Sequence, residues 1–174
     1  MRCIARISVV LIVSLLLSGC ADREYRNGVE SLENGKYEEA VGYLEKAVER
    51  EHNVGDSYRG IGIAKWELED FEGAVVAFEA ALENGAEESA AIYDLMGACK
   101  LNLKDPSSAI SYYEKGIAQE GCTEEMAQEM KFNIIAAYEQ LKDWESAQEK
   151  LAEYTAEYPE DAQAAKEAEF LETR

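Results

Sequence analysis

Residues that commonly carry chemistry are scarce in this chain. Its 174 residues include one histidine, His52, and two prolines, and none of its glycines forms a phosphate-binding loop. His52 has no second histidine with which to bind a metal and no evident nucleophile to activate. The glutamate pairs lack the alternation of a calcium loop. The sequence therefore predicts that the protein is not an enzyme and uses neither a metal nor a cofactor.

Basic residues are also few. There are 17 lysines and arginines against 36 aspartates and glutamates, for a formal charge of −19. Such a chain is a poor partner for nucleic acid or for bare anionic headgroups. Two interpretations of the acidic residues stay open. They are the solvated faces of helices, or they form a surface that recruits a basic partner or loosely held divalent cations.

The chain has four cysteines, and two of them, Cys3 and Cys20, lie near its start. The repeat register described below places Cys99 in the middle of a helix and Cys122 in a loop, more than two helical turns apart. That separation argues against a disulfide. We expect Cys99 to be a packed core residue and Cys122 to be a partly exposed thiol.

Only one long hydrophobic run is present, at residues 7–17. It follows Arg2 and Arg6 and is interrupted only by serines. A short basic region followed by a mainly apolar run of this length is typical of a secretory signal, and the run is too short to span a membrane comfortably.

The signal ends in Leu17-Ser18-Gly19-Cys20, which resembles the bacterial lipobox. The resemblance implies that Cys20 is lipidated and that residues 1–19 are removed. It also implies an extracytoplasmic location on the cell membrane, or on the outer membrane if there are two. An ordinary secretory signal with a chance cysteine is the alternative. Two or three acyl chains on Cys20 would give a durable anchor.

A small residue recurs at nearly constant intervals, at Ala40, Ala74, Ala109 and Ala147, and the last interval is slightly longer than the first two. Other positions repeat in register with these alanines. A glycine stands twelve residues earlier, an aromatic residue three earlier, a large apolar residue four later and a small residue seven later. These positions hold Gly28, Gly62 and Gly97; Tyr37, Phe71 and Trp144; Leu44, Phe78, Tyr113 and Leu151; and Ala47, Ala81 and Gly116. The spacing of four and then three is helical, and we expect each glycine to permit a close helix crossing.

This pattern resembles the tetratricopeptide repeat, a helix–turn–helix unit of the same length as the shorter intervals. The resemblance implies an all-α protein, a right-handed α-solenoid of about four such repeats followed by a C-terminal capping helix. The mature chain is short enough for one domain with a continuous core. The signal is predicted at 1–19, and the four repeats are predicted at 20–54, 55–89, 90–127 and 128–161, with the lipidated Cys20 at the start of the first. The capping helix is predicted at 162–174.

Local signals fit the repeat. Asn34-Gly35, Asn84-Gly85 and Glu120-Gly121 are typical of helix ends. Helix-capping residues are predicted at the start of the second helix of repeats two to four, at Asp70, Asp105 and Asp143, with Pro106 in the first helical position. In the capping helix, an apolar stripe is predicted at Ala165, Ala168 and Leu171, with Phe170 contributing to the seal.

The fourth repeat departs from the pattern. Ile135 stands at the glycine position and Tyr154 at the second small position. The longer interval before Ala147 predicts an insertion around Gly121-Cys122-Thr123. We expect the regular packing of the array to change there.

The resemblance implies that a partner segment binds along the face formed by the first helix of each repeat. The candidate groove residues are Tyr25, Val29, Leu32, Arg59, Ile63, Trp66, Asp94, Ala98, Leu101, Phe132, Ala136 and Glu139. Several of them, Trp66 and Phe132 above all, could instead pack between repeats. The Lys/Asn clamp with which some family members hold a C-terminal carboxylate is missing.

The function expected from these features is that of a membrane-anchored scaffold or adaptor at the bacterial envelope. Its partner would be a protein or peptide, held in the groove, and the membrane would be reached through the lipid on Cys20. The alternative is a lipoprotein that binds a solute or an envelope polymer through tryptophan and tyrosine side chains.

Overall fold

In a computed structural model of the chain, residues 23–174 are described, and they form nine α-helices and no strand. The all-α class is confirmed. The proposed lipidation site, Cys20, and the signal segment 1–19 lie outside the described residues. Within residues 23–174, no helix combines the length and apolar character that crossing a bilayer requires.

The described chain forms two compact units that divide between Glu87 and Glu88. Each unit contains two of the predicted repeats. Unit 1 contains α1 (23–33), α2 (Tyr37–Glu49), α3 (Val54–Glu67) and α4 (Phe71–Glu83). Unit 2 contains α5 (Ala90–Asn102), α6 (Pro106–Ile117), α7 (Glu124–Leu141), α8 (Trp144–Glu157) and α9 (Ala162–Leu171).

The predicted helix starts at the three aspartates are confirmed. Asp70 accepts a hydrogen bond from the backbone N–H of Gly73 at 3.0 Å, and Asp143 accepts one from Ser146 at 3.2 Å. Asp105 does the same for Ser108 at 3.3 Å, and Pro106 occupies the first turn of α6. Each cap satisfies a backbone donor that the helix leaves unpaired.

The helix ends predicted at Gly35 and Gly85 are confirmed, because both glycines follow the last turn of a helix with φ values of +69° and +83°. Gly121 has a φ of +84° but lies in the loop, four residues beyond the end of α6. Gly35 lies in the turn between the two helices of repeat 1. Lys104 lies in the corresponding turn of repeat 3 and takes nearly the same conformation, with φ of +60°. The turn geometry is thus kept where glycine is absent, although side chains disfavour the left-handed region by about 1–2 kcal/mol.

The glycine column lets a large side chain of the second helix approach the first helix of the same repeat. A Cβ atom added to Gly62 would lie 2.6 Å from the ring of Phe78, and one added to Gly97 would lie 2.6 Å from the ring of Tyr113. Gly28 meets Leu44 in the same way, at 2.5 Å. All three large side chains are fully buried, so these contacts form the centre of each repeat.

The fourth repeat packs its two helices without a glycine at this position. Ile135 is buried and packs in one cluster with Leu151, where the other repeats pair a glycine with their large residue. Tyr154, at the small-residue position, is also buried, and its hydroxyl donates to Asp161 at 2.6 Å. Helix α7 begins at Glu124, inside the range predicted for repeat 3. The residues that directly follow the expected insertion at Gly121-Cys122-Thr123 therefore lengthen α7 at its start.

The predicted apolar stripe on the capping helix α9 is confirmed at Leu171, which is buried, and at Ala168, which packs against the same cluster, but it is wrong at Ala165. Ala164 and Leu171 are sealed from solvent in the cluster that contains Leu151, whereas Ala165 is exposed. Phe170 was expected in the seal, but it is 39% exposed and lies beneath the Arg174 guanidinium.

The expected states of the two cysteines are confirmed. Cys99 is buried in α5, Cys122 is half-buried before α7, and both are free thiols. Burial raises the pKa of Cys99 to about 12, which keeps it an unreactive packed residue.

Substitution of two helical glycines tests the packing. Gly97→Ala should lower the free energy of unfolding by about 1–3 kcal/mol, because its methyl group collides with the ring of Tyr113. Gly42→Ala is the matched control, since a Cβ there meets nothing within 4 Å, and it should raise stability by about 0.5–1 kcal/mol. Urea unfolding followed by circular dichroism measures both. Equal effects of the two substitutions would contradict the packing described.

Candidate functional site

The candidate surface is the face formed by the first helix of each repeat, and each unit has its own. We call the part formed by α5, α7 and the start of α9 the A-helix face of unit 2. Helix α7 contacts α5, and its Gln128 donates to Asp161 at the start of α9 over 3.3 Å. Helices α6 and α8 form the layer behind them.

In unit 1, most of the predicted groove residues are engaged within the fold. Tyr25 and Leu32 pack against the cluster built on Leu44 and Ile61. Trp66 packs on the ring of Phe71, with 5.2 Å between ring centroids. These side chains are half-buried, as are Val29 and Ile63.

Arg59 was expected at the centre of the groove as a group for an acidic ligand. Its guanidinium pairs with Asp56, one turn earlier on α3, at 2.8 Å. The positive charge is therefore already compensated inside unit 1.

In unit 2, the structure brings Asp94 and Phe132 to the A-helix face, half-buried, on α5 and α7. Phe132 packs edge-on against Tyr154, with ring centroids 5.4 Å apart, and also borders an open cleft. Of the remaining predicted residues, Leu101 packs into the core of unit 2, and Ala98 and Ala136 are half-buried.

The cleft has a volume of about 420 Å³. Its walls combine amide, carboxylate and aromatic side chains from α7, α8 and the start of α9: Glu125, Gln128, Glu129, Phe132, Asn133, Tyr154, Asp161 and Gln163. Gln128, Tyr154 and Asp161 hydrogen-bond to one another and form its rigid end. Among the described residues, Asn133 and Glu129 make no hydrogen bond or ion pair, so both can bind a ligand.

Glu129 also faces α5, where it acts on Asp94. Burial, followed by the negative charge of Glu129, raises the pKa of Asp94 to about 6. Within residues 23–174, no lysine or arginine forms an ion pair with either carboxylate. The A-helix face of unit 2 thus holds two carboxylates whose charges are uncompensated.

A buried hydroxyl accompanies this pair. Tyr113 on α6 is fully buried, and its hydroxyl has no hydrogen-bond partner within the described part of the chain. Burial, and then the charges of Asp94 and Glu129, raise the pKa of Tyr113. The hydroxyl is therefore close enough to both carboxylates to respond to their charge.

Glu139, another predicted groove residue, belongs to a second carboxylate pair on α7 and α9. One of its oxygens is buried without a partner. Burial, and then a hydrogen bond with the Glu167 carboxyl group, raise the pKa of Glu139 well above its usual range.

Sequence analysis missed a surface on the other side of unit 1. A cleft of about 410 Å³ opens between α2 and α4 over α3, with Val48, Tyr58 and Ile61 in its lining and Val76, 64% exposed, at its edge. The corresponding region of unit 2 carries the Lys131–Glu157 ion pair at 2.6 Å. The apolar residues of α4 were expected in the core, but Val76 on this helix is exposed.

No group of three or more histidine, cysteine, aspartate or glutamate side chains in residues 23–174 is arranged to hold a metal ion. His52 lies in the loop between α2 and α3, with its ring edge-on to Tyr25 at 6.3 Å.

The structure is that of a helical repeat protein, because paired helices recur with the same glycine contact and present their first helices on one face of each unit. Comparison with models of known protein families assigns the family. A tetratricopeptide repeat model matches residues 25–89 and 59–121, and a second one matches residues 131–161. The chain belongs to the tetratricopeptide repeat family. The helix–turn–helix repeats of the α-solenoid class are confirmed.

Several solved structures are similar to the chain. MamA (41-end) from Desulfovibrio magneticus RS-1 is 22% identical, with 88% of this chain and 84% of that chain covered and a TM-score of 0.73. The TPR protein YrrB is 21% identical, with 85% and 74% covered and a TM-score of 0.71. The TPR2AB domain of yeast Sti1, in a complex with pHSP90, is 20% identical, with 88% and 70% covered and a TM-score of 0.56.

At these identities the likeness shows the fold alone. A search of curated protein sequences found no significant match.

Glu129 and Asn133 on the A-helix face of unit 2 were not predicted, and neither was a polar role for Tyr113 in the layer behind it. Glu129 lies within the range predicted for repeat 4 and stands three residues before Phe132, the first α7 residue expected on this face. Asn133 directly follows Phe132 and is one position out of the expected register. Tyr113 was assigned to the core. The sequence did contain a signal for Tyr113, because it carries a hydroxyl at the position where repeat 2 has the apolar Phe78.

Tyr113→Phe tests the unpaired hydroxyl. The variant should be more stable by about 1 kcal/mol, and by no more than about 3, because it removes a buried polar group that has no partner. Phe78 fills the equivalent space in repeat 2, so the ring itself fits. Thermal and urea unfolding measure the change, and a clear loss of stability would show that the hydroxyl has a partner.

The titration of Asp94 tests the carboxylate pair. Its pKa should be about 6 by carboxyl NMR, should fall in Glu129→Gln, and should not change in Glu149→Gln, which removes an exposed charge from α8. A raised folded-state pKa means that stability is lost as pH rises from about 4 to above 6. Asp94→Asn should therefore gain stability relative to the native chain over that interval. A normal pKa in the native chain would contradict the pairing.

Proposed function

We propose that this protein is a lipid-anchored adaptor of the bacterial envelope that holds an extended segment of a partner protein on its A-helix faces. The family supports a protein- or peptide-binding scaffold, and the N-terminal lipobox supports the anchor. The observation that carries the proposal is the cleft of unit 2. It presents unpartnered polar side chains beside an aromatic ring in a space of about 420 Å³.

The chemistry of this cleft suits a peptide. The Asn133 side-chain amide can donate to and accept from the backbone of an extended chain, and Phe132 offers an apolar surface for a side chain. The hydrogen-bonded Gln128, Tyr154 and Asp161 keep the end of the cleft in a fixed shape, which limits the entropy lost on binding. YrrB, which is similar in fold, is described as a TPR protein with an unusual peptide-binding site.

The anchor would place the fold close to the membrane. Arg23, the first described residue, is three positions beyond Cys20. A fully extended chain spans at most about 3.6 Å per residue, so unit 1 would begin within about 11 Å of the lipidated cysteine. An adaptor placed this way presents its faces to proteins at the membrane surface.

The alternative function, binding of a solute or envelope polymer, is less well supported. It depends on free tryptophan and tyrosine rings. Trp66 packs on Phe71, and Trp144 lies under the Arg174 guanidinium, with 5.7 Å between that group and the ring centroid. These rings are already used within the fold.

Cross-linking on intact membranes tests the partner. A photoreactive residue at position 133, in the cleft, should yield a covalent protein adduct. The same residue at position 156, where Ala156 is exposed on α8, should not. Equal adducts from both positions, or none from position 133, would count against the groove.

The anchor is tested separately with Cys20→Ala. This variant should incorporate no labelled fatty acid and should leave the membrane fraction, whereas the native chain should remain there after a high-salt wash. Continued labelling of the variant would refute the lipobox interpretation.

A further inference from the structure

The cleft between α2 and α4 of unit 1 plays no part in the adaptor function. Both helices pack against α3, whose Tyr58 and Ile61 form the floor, and the space between them measures about 410 Å³. Val48 lines the α2 wall, and Val76, which is 64% exposed, stands on the α4 wall. An open apolar cleft between two helices is a surface on which a further helix can pack.

The α4 wall is apolar in repeat 2, whereas the equivalent positions of the other repeats carry polar or charged side chains. The positions two, three and six residues after the repeating alanine hold Val76, Ala77 and Ala80 in α4. In repeats 1 and 3 a lysine at the last position lies over a tyrosine ring, 5.4 and 5.5 Å from its centroid. The equivalent residues are Gly42, Tyr43 and Lys46 in repeat 1, Ser111, Tyr112 and Lys115 in repeat 3, and Glu149, Lys150 and Glu153 in repeat 4. Packing within a repeat tolerates polar residues at these positions, so it does not account for the exposed Val76.

The shape of the α4 wall favours a helix as the occupant. Gly73, Ala77 and Ala80 line the cleft at intervals of four and three residues and so share one stripe of α4. Small side chains let the backbone of a second helix come close, and Val76 beside the stripe can then fill a space on that helix. An extended segment would not follow this stripe, because its side chains alternate between two faces.

The opposite wall of the cleft carries negative charge. Glu45 and Glu49 are exposed one turn apart on α2, and neither forms an ion pair within residues 23–174. Lys65, which also lines the cleft, is already paired with Asp70 at 3.1 Å. The cleft therefore combines an apolar floor with a negative edge, and it favours a basic partner. A second copy of this chain, with its net charge of −19, would be repelled, as would an anionic membrane surface.

We propose that this cleft binds a basic amphipathic helix of a partner protein. Apolar side chains of that helix, spaced by three and four residues, pack on Val48, Ile61 and Val76. Its lysine or arginine side chains reach Glu45 and Glu49, with their apolar stems along the cleft. The cleft is a second interaction surface, because it shares no residue with the cleft of unit 2. The inference therefore does not rest on the adaptor function.

Binding of designed peptides to the full chain tests the inference. The probe is a fluorescent helical peptide of about 18 residues with leucine at spacings of three and four and lysine along both edges of that stripe. The chain is held in nanodiscs of neutral phosphatidylcholine, and empty discs give the background. One comparison peptide has the same composition with its leucines scattered around the helix, and the other has glutamine in place of every lysine. The native chain should bind the probe at least about tenfold more tightly than the scattered peptide and about threefold more tightly than the glutamine peptide.

A pair of matched variants locates the binding. Val76→Glu places a charge on the apolar wall and should weaken the probe about tenfold or more. Ser111→Glu adds the same charge at the equivalent exposed position of repeat 3 and should leave the affinity unchanged. Both positions are exposed, so both variants should keep the native unfolding temperature, which circular dichroism checks. Equal weakening by the two variants, or none by Val76→Glu, would overturn the inference.

Removal of charge from the α2 wall tests the basic character of the partner. Glu45→Gln/Glu49→Gln should weaken the lysine probe about threefold and leave the glutamine peptide unaffected. Glu145→Gln/Glu149→Gln removes two exposed charges at the same spacing on α8 and should have no such effect. Equal loss in the two double variants, or equal affinity of the native chain for the lysine and glutamine peptides, would contradict a basic partner.

Two other occupants would overturn the inference in recognisable ways. Self-association of the native chain in sedimentation, if Val76→Glu abolishes it, would assign the cleft to a second copy. Binding of the Cys20→Ala chain to phosphatidylglycerol vesicles, if Val76→Glu abolishes it, would assign the cleft to the membrane surface. Cross-linking from position 133 reports on unit 2, so the adaptor function and the cleft of unit 1 can each fail alone.

Discussion

The structure depends on the close approach of one large side chain to one glycine in each of the first three repeats. Leu44, Phe78 and Tyr113 press against Gly28, Gly62 and Gly97 at distances that leave no room for a Cβ atom. The contact fixes how deeply the second helix of a repeat sits against the first. Because interiors are close-packed, the orientation of the first helix, and with it the surface that it presents, follows from this contact.

The same contact connects the core to the candidate site. In repeat 3 the large side chain is Tyr113, and its hydroxyl is carried into the interior near Asp94 and Glu129. A phenyl ring would satisfy the packing, as Phe78 does. The hydroxyl is buried without a hydrogen-bond partner in the described part of the chain, so it opposes stability.

Repeat 4 shows how the array ends. Tyr154 replaces the small residue that elsewhere admits a following helix, and its hydroxyl bonds to Asp161 and Gln128. Helix α9 then packs through Ala164 and Leu171. These bonds close the end of the cleft, so the divergence of the last repeat both covers the array and shapes the proposed binding surface.

The sequence by itself determined the helices, their caps and the repeat. Asp70, Asp105 and Asp143 cap helices and Gly35 ends one because these effects act within a few residues of the chain. The glycine column was also readable, since its partner recurs at a constant spacing. Tertiary structure alone decided that Arg59 is neutralised, that Trp66 packs on Phe71, and that Ala164 faces inward. It also brought Tyr113, Asp94 and Glu129 together from three helices, because the distance between their charges depends on helix packing that no local pattern encodes.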